Sequence, residues 1–125
     1  MTMSNSQRVG DALQLLTKGL APFVERELKT AYGDDWVLAV LEADPNAHAG
    51  SAKTASLDDV QFLLKTMWIM WNSVFRKVLG QDERTLVSEL RTARNRWAHQ
   101  EAFSTDDAYR VLDSVQRLLT AVSAE

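Results

Sequence analysis

Residues 56–80, SLDDVQFLLKTMWIMWNSVFRKVLG, decide the fold class. Val60, Leu64, Met67, Trp71, Val74 and Val78 recur at spacings of 4, 3, 4, 3 and 4. That interval lines one face of a helix, whereas a half-buried strand would alternate. Phe62, Leu63, Trp68, Ile69, Met70 and Phe75 add apolar surface on the other sides, and a helix apolar almost all round is usually the buried centre of a fold. Ser56 is a good N-cap, Asp58 and Asp59 fall in the first turn where the helix dipole favours anions, and Gly80 is a stop. The spacing therefore predicts a central helix over 57–79.

The flanks repeat the pattern. Upstream, Val9, Leu13, Leu16, Leu20 and Phe23 share a face, and Gly33 ends the segment. Pro22 lies inside this run, so a kink or break is expected near Gly19–Pro22. A short second segment, capped by Asp34 or Asp35, carries Trp36, Val37, Val40 and Leu41. Residues 44–56, DPNAHAGSAKTAS, are small, polar and aperiodic and read as a long loop, either mobile or functional. Downstream, Leu86, Leu90, Ala93 and Trp97 form one helical face. A last helix, capped by Ser104 or Thr105, carries Ala108, Val111, Leu112, Val115, Leu118, Leu119 and Val122. Short connections make the last three helices antiparallel neighbours. The expected architecture is an all-α bundle of about five helices in one domain, 1–125. The helical run up to Ala124-Glu125 suggests the N-terminal piece of a larger protein.

Composition narrows the chemistry. A chain of 125 residues fits one domain and buries roughly two thirds of its unfolded surface without staples. Cysteine is absent, which excludes disulfides, thiol catalysis and cysteine-based zinc sites. The net charge of −3 gives no global attraction to phosphate, so nucleic-acid binding would need a local basic patch. No apolar run approaches the length of a membrane span and the N-terminus lacks a signal-peptide core, so a cytoplasmic protein is expected. The two histidines, His48 and His99, supply no metal-ligand set, and neither metal nor cofactor is expected. His48 reads as an exposed loop residue.

Arg94-Asn95-Arg96-Trp97-Ala98-His99 is the one stretch that resembles chemistry. Arg91 and Arg94, three apart, share a face. Arginine offers a planar fork of donors that matches a phosphate and stabilises charge building on it. Histidine titrates near neutral pH and can take a proton from a 2′-hydroxyl or give one to a leaving oxygen. Asn95 can orient either partner. Together they suit RNA cleavage without a metal. Geometry opposes a simple version of this: five residues rotate His99 by about 140° from Arg94, so the two converge only if the helix bends or ends near Trp97, or if a second subunit contributes. The plainer alternative is a solvated arginine face countered by Glu83, Glu89 and Glu101, with His99 capping the helix end.

The hexamer resembles the R-N-x-x-x-H form of the HEPN domain motif. The likeness extends to Leu20-Ala21-Pro22-Phe23-Val24, to Tyr32-Gly33-Asp34-Asp35-Trp36, to the Leu57-Asp58 start of a helix ending Val78-Leu79-Gly80, and to the whole run from Leu90 to His99. These resemble one HEPN branch, found in a eukaryotic mRNA-surveillance endonuclease and at the N-termini of large bacterial ATPases linked to phage defence. The resemblance implies a small helical bundle that binds or cleaves RNA without metal, its site commonly formed by two motif copies across a homodimer. It assigns Arg94 to the scissile phosphate, His99 to acid–base chemistry and Asn95 to the polar motif position. Arg91 and Arg96 lie outside the motif and are assigned only RNA contacts. The competing expectation is a non-catalytic dimerisation or interaction module of a larger ATPase, docking through Trp36, Trp68 or Trp71.

Overall fold

A computed structural model describes residues 3–47 and 55–123. His48 and most of the expected loop lie outside the described residues. The described residues form α1 (Asn5–Tyr32), α2 (Trp36–Ala43), α3 (Val60–Ile69), α4 (Gln81–Ala98) and α5 (Thr105–Ser123). Short 3-10 turns at Gly33–Asp35 and Phe75–Lys77 join them, and no strand occurs among these residues. The all-α expectation holds.

α1 begins at a capping box. Ser4 Oγ accepts the Gln7 N–H at 3.1 Å, and Gln7 Oε1 accepts the Ser4 N–H at 3.0 Å. It then runs through Pro22, and the break expected as one outcome near Gly19–Pro22 does not occur. A proline inside a helix costs about 3 kcal/mol. Leu20, Phe23, Val24 and Leu28 are all buried around it, and each contributes roughly 1.5–3 kcal/mol by leaving water. Packing therefore outweighs the local defect. The helix ends at Gly33, whose φ of 67° suits a residue without Cβ.

The central helix expected over 57–79 is shorter. Asp59, rather than Ser56, caps α3, accepting the Gln61 N–H at 2.9 Å; Ser56 closes the preceding turn instead. Beyond Met70 the ladder widens: Phe75 N–H reaches Met70 O at 3.4 Å and Arg76 N–H reaches Trp71 O at 2.9 Å. This i to i+5 spacing rotates the following residues. Phe75 and Leu79 turn inward, and Val78, placed on the apolar seam by its spacing, is exposed. A straight helix apolar on every side cannot bury all of them against one neighbour. The widened turn brings the Phe75 ring within 5.8 Å of the Phe23 ring.

α1 packs against α2, α3, α4 and α5, so the spine of the bundle is α1 rather than residues 57–79. α5 runs parallel to α1: Asn5 Nδ2 donates to Phe103 O at 3.1 Å, and Gly19 abuts Leu119. α4 runs antiparallel to α5, with Arg96 beside Asp107 and Glu89 beside Arg110 and Ser114. Trp71 is buried, while Trp36 and Trp68 pack partly buried against the core. No helix of the described residues is long and apolar enough to cross a membrane.

Candidate nucleic-acid site

The motif stands at the C-terminal end of α4. The helix starts where Glu83 Oε1 accepts the Gly80 N–H at 2.8 Å, and Asp82 and Glu83 place negative charge in its first turn. Val87, Leu90 and Ala93 are its buried residues. Trp97, expected on that face, lies at its edge and is 39% exposed. Its indole packs over Gly10 of α1, where a Cβ would stand 3.0 Å from Nε1.

The helix closes in a Schellman arrangement. Glu101 N–H bonds to Arg96 O at 2.9 Å and Gln100 N–H to Trp97 O at 3.1 Å. Gln100 takes the left-handed position, φ 59°, usually held by glycine. His99 is the residue just before it, its N–H still bonded to Asn95 O at 3.0 Å. The backbone is therefore helical up to His99. The rotation of about 140° between Arg94 and His99 stands, and these two side chains of one chain diverge.

The predicted site residues differ in their surroundings. Asn95 and His99 are exposed, and Arg94 is half-buried. None of these three side chains forms a hydrogen bond or ion pair among the described residues. Arg96 is engaged: its Nη2 donates to Ala102 O at 2.8 Å and meets Asp107 at 3.4 Å, Nε faces Glu101 at 3.8 Å, and the guanidinium lies 4.6 Å from the Phe103 ring centre. Arg91 is half-buried, with its guanidinium 5.9 Å from the Trp68 ring centre. Thus Arg91, Asn95 and His99 lie along one flank of α4, Arg94 diverges from His99 at the same end, and Arg96 is turned toward α5.

A groove of about 710 Å³ runs between α4 and α5, with Trp68 and Arg84 at its α3 edge. Glu89 in its wall binds Arg110 through Nε, at 2.8 Å, and Nη2, and takes the Ser114 hydroxyl at 2.8 Å. Burial works against the Glu89 carboxylate, but the hydrogen bonds from Arg110 and Ser114 and the Arg110 charge outweigh it, holding its pKa below the usual value. Arg110 is raised in turn by the same pairing. Among the described residues no three His, Cys, Asp or Glu side chains form a metal-binding group.

A family model described as Swt1-like HEPN matches residues 11–123, from the first helix to the last. The chain belongs to the Swt1-like HEPN family. No curated protein and no solved structure matches it. The HEPN match takes in all of α4 with its hexamer, in keeping with the resemblance read from the sequence. Sequence reasoning missed two features of this HEPN chain. One is the Glu89–Arg110–Ser114 cluster, whose members lie on different helices. The other is Arg84 beside Trp68, whose only sequence signal is that Arg84 precedes Arg91 by seven residues, two helical turns.

Proposed function

We propose that this domain is a metal-independent endoribonuclease module acting as a homodimer, with Arg94 of one copy and His99 of the other meeting over the RNA. The observation that carries the reading is the HEPN hexamer at the C-terminal end of α4, with the Arg94, Asn95 and His99 side chains making no hydrogen bond or ion pair among the described residues. Side chains kept for structure are usually spent on neighbours, as Arg96 is. The divergence of Arg94 and His99 within one helix favours a composite site, since a two-fold axis would lay two α4 ends side by side.

In the proposed reaction His99 accepts the proton of the RNA 2′-hydroxyl. The 2′-oxygen attacks the adjacent phosphorus, and the bond to the 5′-oxygen breaks, that oxygen leaving with a proton taken from water. Arg94 stabilises the negative charge on the non-bridging oxygens, and Asn95 orients the phosphate or the imidazole. The products are a 2′,3′-cyclic phosphate and a 5′-hydroxyl. RNA surveillance or phage defence, as part of a larger ATPase, is the setting that the resemblance supplies.

The test is incubation of labelled RNA with the pure protein in excess chelator. Cleavage leaving cyclic phosphate ends, lost in His99→Ala and Arg94→Ala, is the expected result. RNA equally intact with wild type and His99→Ala ends the nuclease reading, and RNA bound but uncut leaves a binding module.

A further inference from the structure

The most anomalous group outside the motif is Arg84. Its Nε is buried and has no hydrogen-bond acceptor among the described residues. An orphaned donor on a permanent cation is costly unless something supplies an acceptor. Its guanidinium lies over the Trp68 ring, 4.7 Å from the centre, and Arg91 approaches the same ring. Neither arginine has a carboxylate partner among the described residues. The other two arginines of the groove are satisfied, Arg96 by Asp107 and Arg110 by Glu89. Among the described residues Arg84 is thus the groove arginine left without a carboxylate, and Arg91, beside the groove, shares the Trp68 ring with it.

These two residues sit on a stripe. Arg84, Ser88, Arg91 and Asn95 are spaced 4, 3 and 4 and lie on one side of α4. Ser88 is exposed and its hydroxyl donates no hydrogen bond among the described residues. The stripe runs about 16 Å along the helix and ends at the motif. Indole faces hold guanidinium groups flat and leave their N–H edges free for an anion.

We infer that Arg84 and Arg91, held against Trp68, form a phosphate-binding subsite that seats the backbone of single-stranded RNA and leads it along α4 toward Asn95 and His99. Trp68 is a positioning residue here, and Ser88 adds a hydroxyl to the same track. The choice of RNA over other phosphates rests on the function proposed above, and the phosphate chemistry rests on the two arginines alone.

The test uses the full chain and a 2′-O-methyl oligouridylate, which lacks the 2′-hydroxyl nucleophile and reports binding whether or not the protein cuts. Expected are shifts of the Arg84 Nε–H and Trp68 indole N–H signals on titration. Arg84→Ala and Arg91→Ala should each weaken binding about tenfold and lower the salt slope by about one, as loss of one phosphate contact does. Lys18→Ala, which removes an exposed charge from α1, should leave affinity near wild type. Arg84→Lys, with unchanged melting, should recover only part of the affinity, because it keeps the charge and loses the fork. Wild-type affinity in both alanine variants overturns the inference. So does inorganic phosphate or uridine monophosphate binding as tightly as the oligonucleotide, which would make this a small-anion pocket. Tight oligonucleotide binding without RNA cleavage sinks the nuclease reading and keeps the subsite.

Discussion

Arg96→Ala separates two roles that its place between the motif residues leaves open. The guanidinium gathers the segment that follows His99: it takes Ala102 O at 2.8 Å, Asp107 at 3.4 Å and Glu101 at 3.8 Å, and covers the Phe103 ring. Its side chain is 33% exposed, so each contact is discounted for solvent. The charged hydrogen bond to the carbonyl is then worth about 1 kcal/mol. The two ion pairs add a few tenths of a kcal/mol each, and the ring contact about 0.5 kcal/mol. The sum is about 2 kcal/mol, or a Tm drop of roughly 6 °C for a domain of this size. Thermal melts followed by circular dichroism measure it, and amide spectra of residues 99–104 show whether the segment loosens. Arg96→Lys should recover less than half, since one ammonium cannot serve carbonyl and carboxylate in the same plane. An unchanged Tm in Arg96→Ala refutes the clamp. An unchanged Tm with markedly weaker RNA binding would restore Arg96 to the RNA contacts.

Two further outcomes follow from the same region. Gln100→Gly removes a left-handed non-glycine residue and should stabilise the domain by about 0.5–1 kcal/mol, raising Tm by roughly 3 °C; a lower Tm would mean that the Gln100 side chain matters more than its backbone. The Glu89 carboxyl binds its proton more weakly when folded than when unfolded, so its contribution is complete above the ordinary carboxylate range, near pH ~4, and is lost as pH falls through the folded value. Glu89→Gln should therefore melt below wild type at pH 7 and approach it under acid, and a gap that stays constant with pH would remove Glu89 from the acid response.

Much of this bundle is legible in the chain because helical faces announce themselves by spacing. Val9, Leu13, Leu16, Leu20 and Phe23 are all buried as their intervals require, and Ser104 caps α5, accepting the Asp107 N–H at 3.0 Å. The failures have a common cause in tertiary packing. Nothing local reveals that α1 carries enough buried surface around Pro22 to run through it. Nothing in the run from Met70 to Gly80 tells that its ladder widens so that Phe75 meets Phe23 and Val78 turns outward. The motif was readable as a motif, and so was the divergence of Arg94 from His99. Which arginines are spent on carboxylates was not, because carboxylates reach Arg96 and Arg110 from other helices and, among the described residues, none reaches Arg84 or Arg91.

The composite nature of the site is tested most directly by complementation. Arg94→Ala and His99→Ala proteins, each inactive alone, are mixed, allowed to exchange subunits, and assayed on RNA with chelator present. A mixed dimer holds one intact pair, Arg94 from one subunit facing His99 from the other, so the account expects activity to return to about a quarter of wild type when subunits pair at random. A mixture as inactive as its components, with exchange demonstrated, would contradict it.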